Sequence, residues 1–316
     1  MNLPLKYARD MSALVLDGRC VSDQILAELR PRVSALTKVG RAPGLAIVLV
    51  GNNPGSHIYV RSKIKASEEL GVRSFHHMPS EAITTAEMLS LIDQLNDDRE
   101  VDGILVQMPL PKHLDTERIL THVDPSKDAD GFHPLNVGNL VANRRAPRAC
   151  TPAGILQMLN RYDIPLAGKR AVVVGRSDIV GKPMALMLLH ANATVTICHS
   201  KTADLAGECR RGDILVAALG RPAFLDENFI KDGAIVIDVG INRLTDTAAV
   251  ERLYGHDEER LAAFRKTGKT IVGDVQPRAM MERARAYTPV PGGVGPLTIA
   301  MLLSNTVTLA EQHLAS

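Results

Sequence analysis

Short apolar runs alternate along the chain with longer stretches whose apolar residues recur at helical spacing. The runs are 44–51 (GLAIVLVG), 103–107 (GILVQ), 170–175 (RAVVVG), 194–199 (TVTICH), 214–219 (ILVAAL) and 234–239 (AIVIDV). Near-continuous hydrophobicity of this kind is the pattern of parallel strands covered on both faces. Helical periodicity fills 21–39, 56–70, 84–96, 152–162, 182–191 and 296–314. Strand–helix alternation predicts an α/β fold with parallel sheets and right-handed crossovers. The polar stretch 144–150 (RRAPRAC) marks a boundary, and the helix after it is expected to open with Thr151 as N-cap and Pro152 at the first helical position. A second break is 288–296 (TPVPGGVGP), which holds three prolines and three glycines. Too little chain follows it for another domain, so the last helix is expected to return to the first half. The result is two lobes joined by two crossings, with a cleft between them, a common ligand location.

Composition narrows the function classes. The 316 residues fit about two domains. A hydrophobic share of 45%, a charged share of 23% and a net charge of +2 are ordinary for a globular protein and supply no field for nucleic acid or an anionic membrane. Five Phe, five Tyr and no Trp leave few rings on which bases could stack. Neither nucleic acid nor membrane is therefore expected as a partner. Cys20, Cys150, Cys198 and Cys209 show no C-x-x-C spacing, which speaks against a zinc or dithiol site. They read as reduced, mostly buried thiols of a cytoplasmic protein with no metal. No apolar run reaches the roughly 18 residues of a membrane helix, and the N-terminus lacks a secretory pattern. Met11 is a second plausible start. Residues 1–10 match no element and are expected to be disordered or to precede the true start.

The run at 170–175 leads directly into Arg176, Ser177, Asp178, Ile179, Val180 and Gly181, and then into a helix. A strand, a glycine turn and a helix N-terminus together make a phosphate site, because free N–H groups and the helix dipole face the anion. The match to G-x-G-x-x-G is imperfect, since Ser177 replaces the middle glycine and Gly175 lies six residues from Gly181. Spacing alone leaves dinucleotide binding and a plain strand–helix turn both open. The next strand ends in His199-Ser200-Lys201, without the carboxylate that binds the ribose 2′-OH of NAD. Arg176 nearby favours a 2′-phosphate, hence NADP. The alternative is that Arg176 and Lys201 are ordinary solvated cations.

In the first half, Tyr59 and Lys63 are one turn apart and share a helix face. Their helix follows an apolar strand through Gly51-Asn52-Asn53-Pro54-Gly55, which places the pair at the edge where open α/β sheets bind ligands. Gln107 ends a second strand in the same sense, or else satisfies loop amides. Residues 124–132 (DPSKDADGF) superficially match a calcium loop, but Val137 occupies the position of the required bidentate Glu. A carboxylate in this turn either caps backbone amides or binds an amino-substituted heterocycle.

Together these segments resemble the bifunctional methylenetetrahydrofolate dehydrogenase/cyclohydrolase family. The stretches that carry the resemblance are 59–63 (YVRSK), 106–111 (VQMPLP), 127–132 (KDADGF), 150–154 (CTPAG), 175–183 (GRSDIVGKP), 237–242 (IDVGIN) and 289–298 (PVPGGVGPLT). It covers nearly the whole chain, from about residue 14 to about residue 308. It implies a folate-binding catalytic lobe over 1–148, completed by the helix 296–316, and a Rossmann-like NADP lobe over 149–295. The implied reaction is NADP-linked oxidation of 5,10-methylenetetrahydrofolate to the 5,10-methenyl form, followed by hydrolysis to 10-formyltetrahydrofolate. Lys63 would be the key cyclohydrolase residue, with Gln107 beside it, Tyr59 against the folate and Asp130 holding the pterin. Val106 and Met108, which flank Gln107, and the turn Pro291, Gly292, Gly293, Val294 and Gly295 would line the folate pocket. Gly175, Arg176, Ser177 and Ile179 would form the cofactor turn, with Arg176 and Ser200 at the 2′-phosphate and Ile241 as a further contact. The resemblance also implies a homodimer through the cofactor lobe.

The chemistry suits these residues. Hydride loss leaves a cation stabilised by the folate nitrogens, so the redox step needs positioning and no general base. Hydrolysis needs proton transfer, which a lysine supplies if desolvation or a nearby positive charge lowers its pKa. Gln107 is expected to orient Lys63 by a hydrogen bond.

Two departures from the family stand out. Ala129 replaces an expected Val, and 243–271 is longer than the usual hairpin, with a charged, helix-like stretch at 257–266. The longer segment leaves the cofactor-side surface and subunit contacts open, and its simplest reading is a solvated excursion. Rival functions are a dehydrogenase-only member, a catalytically silent folate- or nucleotide-binding protein, and a different two-lobed NADP dehydrogenase acting on a small alicyclic acid. Intact Tyr59, Lys63, Gln107 and Asp130 argue against the first and an intact 175–177 turn against the second. The third does not account for the PVPGGVGP segment.

Overall fold

The computed structural model describes residues 13–255 and 257–315. The expectation for residues 1–10 falls outside them. In chain order the elements are β1 (Leu14–Val15), α1 (Gly18–Lys38), β2 (Gly44–Val48), α2 (Pro54–Leu70), β3 (Arg73–His77), α3 (Thr85–Asp97), β4 (Gly103–Val106), α4 (Thr116–His122), α5 (Pro134–Val141) and α6 (Cys150–Arg161). There follow β5 (Arg170–Val174), α7 (Gly181–His190), β6 (Thr194–Cys198), α8 (Leu205–Arg210), β7 (Ile214–Ala217), β8 (Ile235–Asp238), β9 (Asn242–Leu244), α9 (Thr247–Tyr254), α10 (Glu258–Thr267), β10 (Thr270–Val272), α11 (Pro277–Arg283), β11 (Ala286–Tyr287) and α12 (Val294–Ala315). Thr151 and Pro152 are the second and third residues of α6 rather than its cap and first position, because the helix already starts at Cys150.

The chain forms two compact units. One comprises Ser22–Cys150 with residues 298–315, and the other residues 13–21 with Thr151–Leu297. The chain passes between them three times, inside α1, α6 and α12, where the sequence suggested two crossings. The extra passage arises because β1 pairs in parallel with β11, so residues 14–15 add a strand to the later unit.

The first unit holds a parallel sheet in the order β3-β2-β4. β2 and β4 are fully buried, while β3 (RSFHH) is a half-exposed edge and so carries no apolar run. The core packs Ala46, Val48, Met88, Ile92, Ile104, Val106 and Ile119. α3 starts with a capping box in which the Thr84 side chain accepts from the Glu87 N–H and Glu87 accepts in return from the Thr84 N–H. The last helix closes this unit. Arg32 pairs with Glu311 at 2.7 Å, and Asn305 donates to the carbonyls of Ala129 and Arg148. By length and composition α12 is apolar enough to cross a membrane, with mean hydropathy 1.2 over an 18-residue window, although polar residues interrupt its sequence. Half of that window is buried in the protein, including Leu297, Ala300, Leu303 and Val307 at 0% exposure.

The second unit is a six-stranded parallel sheet in the order β1-β11-β8-β7-β5-β6. From β5 onward this is the doubly wound order 2-1-3-4-5, whose ligand crevice lies between the first and third strands, here β5 and β7. β6 is an edge strand with exposed Thr194, Thr196 and Ile197, so it is not covered on both faces. Residues 243–271 are more than a solvated excursion. β9 and β10 form an antiparallel hairpin, and with α9 and α10 they enclose a small core of Val250, Tyr254, Leu261, Phe264 and Val272.

Candidate active site

In the first unit the loop after β2 turns into α2 because the Asn53 side chain accepts from the N–H groups of Gly55 and Ser56. Lys63 follows two turns later and is only 7% exposed, whereas Tyr59, one turn earlier, is 38% exposed. Lys63 Nζ donates to Gln107 Oε1 at 2.9 Å. Gln107 directly follows β4, its backbone N–H donates to the Val48 carbonyl, and its Nε2 donates to the Met108 carbonyl at 2.7 Å. The second bond leaves the amide oxygen for Lys63, so the geometry contains the orienting bond expected from the sequence. Val106 is buried and Met108 half-buried beside it.

The acidic turn divides its two roles between two aspartates. Asp128 accepts from the N–H groups of Gly131, Phe132 and His133 and from Asn136 Nδ2. It is the cap. Gly131 has φ +73, and a Cβ there would come within 2.4 Å of the Arg148 backbone, so the turn closes only on glycine. Lys127 is used structurally, donating to the carbonyls of Leu95 and Asp98. Asp130 is left over and lies near Lys63. Burial pushes its pKa up to about 6, opposed by the Lys63 charge and assisted by Asp128. Its other neighbour is Cys150, whose thiol burial and the Asp130 charge push well above the usual range. Sequence reasoning did not bring Cys150 into this cluster. Its motif was noticed, but nothing in its spacing places the thiol against a turn 20 residues earlier.

In the second unit the turn after β5 is built on two close approaches. Gly175 has φ +135, and a Cβ on it would sit 2.2 Å from the Ala218 carbonyl that follows β7. A Cβ on Gly181 would sit 2.2 Å from the Gly175 carbonyl. Ser177 Oγ accepts from the N–H groups of Val180 and Gly181, both at 3.2 Å, and so satisfies two donors at the start of α7. Arg176, Ser177, Ile179 and Ser200 are exposed, and Asp178 is ion-paired with Lys182. The turn lies at the sheet's topological switch point, and no carboxylate ends β6. This donor set, with Arg176, Ser200 and Lys201 and no carboxylate at the end of β6, fits a dinucleotide carrying a 2′-phosphate.

Two buried aspartates that sequence reasoning missed hold the neighbouring loops. Asp274 accepts from the N–H groups of Leu219, Gly220 and Arg221 and from Asn242 Nδ2. Asp238 accepts from those of Gly240, Asp274 and Val275. Burial pushes Asp238 up to about 7 against these three bonds. The pair joins loops far apart in sequence, which no local pattern shows. Ile241, between them, is 48% exposed, and a Cβ on Gly295 would be 3.9 Å from its Cδ1. The 291–295 turn therefore borders Ile241. Gly18 N donates to the Gly292 carbonyl at 3.0 Å, and a Cβ on Gly18 would overlap the Gly293 carbonyl at 1.5 Å, so the N-terminal segment seats this turn. The structure thus gathers Lys63, Gln107 and Asp130 in one unit, and Gly175, Arg176, Ser177, Ile179, Ser200, Ile241 and the 291–295 turn in the other.

Comparison with known proteins identifies the family. The family model described as the catalytic domain of tetrahydrofolate dehydrogenase/cyclohydrolase matches residues 16–130, and that of its NAD(P)-binding domain matches 149–314. A bifunctional protein FolD from Solibacter usitatus is 60% identical over 95% of this chain and 98% of its own. The solved FolD methylenetetrahydrofolate dehydrogenase/cyclohydrolase of Campylobacter jejuni is 45% identical, with a TM-score of 0.86 over 95% of this chain and 99% of its own. The corresponding Trypanosoma brucei enzyme, solved with NADP and an inhibitor, is 37% identical, with a TM-score of 0.87 over 96% of this chain and 99% of its own. Matched along almost its full length in sequence and in structure, the chain belongs to the tetrahydrofolate dehydrogenase/cyclohydrolase family.

Proposed function

We propose that this protein oxidises 5,10-methylenetetrahydrofolate with NADP and hydrolyses the resulting 5,10-methenyltetrahydrofolate to the 10-formyl form. The observation that carries the reading is the bond of the buried Lys63 to the half-buried Gln107 at 2.9 Å, with Asp130 beside it. The Gly175–Gly181 turn would hold the diphosphate, Arg176 and Ser200 the 2′-phosphate, and Ile179 and Ile241 would give it apolar surface. When bound, NADP supplies the hydride acceptor. Hydride loss leaves the positive charge on the folate N5–C–N10 unit, and no protein base is required. In the first unit Asp130, as carboxylate, would accept the pterin amino and ring N–H donors, and Tyr59, Val106 and Met108 would flank the folate; in the second, the turn of Pro291, Gly292, Gly293, Val294 and Gly295 would contact it. In the second step water adds to the methenyl carbon. Lys63 relays one water proton to N5 as the N5–C bond breaks, and the remaining hydroxyl proton leaves to solvent as the C=O of the N10-formyl group forms. Gln107 fixes Lys63 for this transfer.

A cytoplasmic homodimer completes the reading. Its support is the open edge of β6, where Ile197 is 43% exposed, beside α7 with Leu189 54% exposed. An uncovered apolar edge of this kind is suited to pairing with a second copy.

The test is one mixed assay with methylenetetrahydrofolate and either NADP or NAD, following NADPH formation and the rise and decay of methenyl absorbance. No NADPH formation sinks the reading. Arg176 is exposed, so its share is modest. Arg176→Ser is expected to raise the KM for NADP about tenfold, at the lower end for a charge-assisted bond, while activity with NAD stays within about twofold. Equal losses with both cofactors would remove Arg176 from the 2′-phosphate.

A further inference from the structure

We infer that Arg260, in the helical excursion between β9 and β10, is a positioning residue for the turn at Pro291–Gly295. The function above gives this excursion no role. Its small core buries Tyr254 to 2% exposure, and the Arg260 guanidinium lies over that ring, 4.0 Å from its centroid. Stacking holds the guanidinium plane and leaves its edge free to donate. Arg260 Nη2 donates to the Ile271 carbonyl on β10 and, at 3.0 Å, to the Val290 carbonyl. Its Nε points to Thr270 Oγ1 at 3.4 Å.

Val290 lies immediately before the turn. The loop is fastened at its base, where the Thr288 N–H donates to Val236 and Thr288 Oγ1 accepts from the Asp238 N–H. It is fastened at its far side by the Gly18–Gly292 bond. Arg260 holds the stretch between these anchors. One guanidinium thus ties α10, β10 and the loop together, and the excursion becomes a brace for the turn. A lysine reaches one carbonyl as a point donor and lacks the planar fork, so it replaces the arrangement only in part.

The inference rests on the reading that this turn lines the folate pocket. Its test is steady-state kinetics of Arg260→Ala, Arg260→Lys and the control Arg265→Ala, which breaks the exposed Arg265–Glu258 pair of the same helix. Arg260→Ala is expected to raise the KM for methylenetetrahydrofolate about tenfold, equivalent to about 1.4 kcal/mol. Its kcat and KM for NADP should stay within about twofold. Arg260→Lys should fall between the two, and Arg265→Ala should match the parent. The lysine variant decides the matter if the alanine variant does not fold. A folate KM unchanged in a folded Arg260 variant overturns the inference, as does an equal rise in both KM values or a rise in Arg265→Ala. If the parent chain forms no NADPH from methylenetetrahydrofolate, the functional reading fails and the inference with it. An active parent with an unaffected Arg260 variant defeats the inference alone.

Discussion

Replacing Lys63 by methionine is expected to reduce methenyltetrahydrofolate hydrolysis by about a thousandfold, the scale of a lost general acid–base group, while NADPH formation persists. The two steps separate because only hydrolysis moves protons through the protein. Methionine keeps most of the stem, so the packing of a side chain that is 7% exposed is largely retained. What is lost is the amine and its bond to Gln107 Oε1. That oxygen becomes a half-buried acceptor without its donor, which costs about 1–3 kcal/mol of stability. The check is a single progress curve. In the variant, methenyl absorbance should rise with NADPH and then stay. Decay at the parent rate would remove Lys63 from the mechanism.

Asp130→Asn is expected to do two opposite things. The amide loses the charge and one acceptor oxygen, so two charge-assisted bonds to the pterin are weakened and the KM for both folate substrates should rise about a hundredfold. The protein itself should become more stable above pH 6. The reasoning is one of linkage. Burial raises the Asp130 carboxyl to about 6, above its unfolded value near 3.8. Between those values the folded state binds the proton more tightly than the unfolded chain, so the folded state loses stability as pH rises through the window. The loss is complete above about pH 6, is of order 3 kcal/mol, and is absent below about pH 4. The asparagine variant carries no such loss. Denaturant titrations at pH 4.5 and pH 8 should therefore show a gap between variant and parent that widens with pH. A gap that does not change with pH would show that the carboxyl is not strained by burial. In the parent, the folate KM should also rise as pH falls through about 6, and this limb should be missing in the variant.

These two residues were legible in the sequence for different reasons. Lys63 was marked by its spacing from Tyr59 and by a strand end before its helix. Asp130 was marked only by a family pattern, since the turn offered three acids, Asp124, Asp128 and Asp130. The structure separates the last two because Asp128 is consumed by three backbone N–H groups and Asn136. Elements with a strong internal period were read within a few residues. β3, β1 and β11 were not, because RSFHH is a polar edge and strands of two residues exist only through their partners.

The sequence by itself determined the α/β alternation, the glycine turn after β5 and the residue types of both sites, because these depend on local periodicity and on motifs a few residues long. Only the tertiary structure decided what depends on distant partners. It moved residues 14–15 into the cofactor-side sheet, since a two-residue strand gains its hydrogen bonds only from β11. It set the Cys150 thiol beside Asp130, and it joined three loops through Asp238 and Asp274, since these two buried carboxylates must find N–H donors wherever the fold brings them. It also turned residues 243–271 from an exposed insertion into a braced one. A charged helix pattern does not reveal that Tyr254 and Phe264 share a core, or that Arg260 reaches across to Val290.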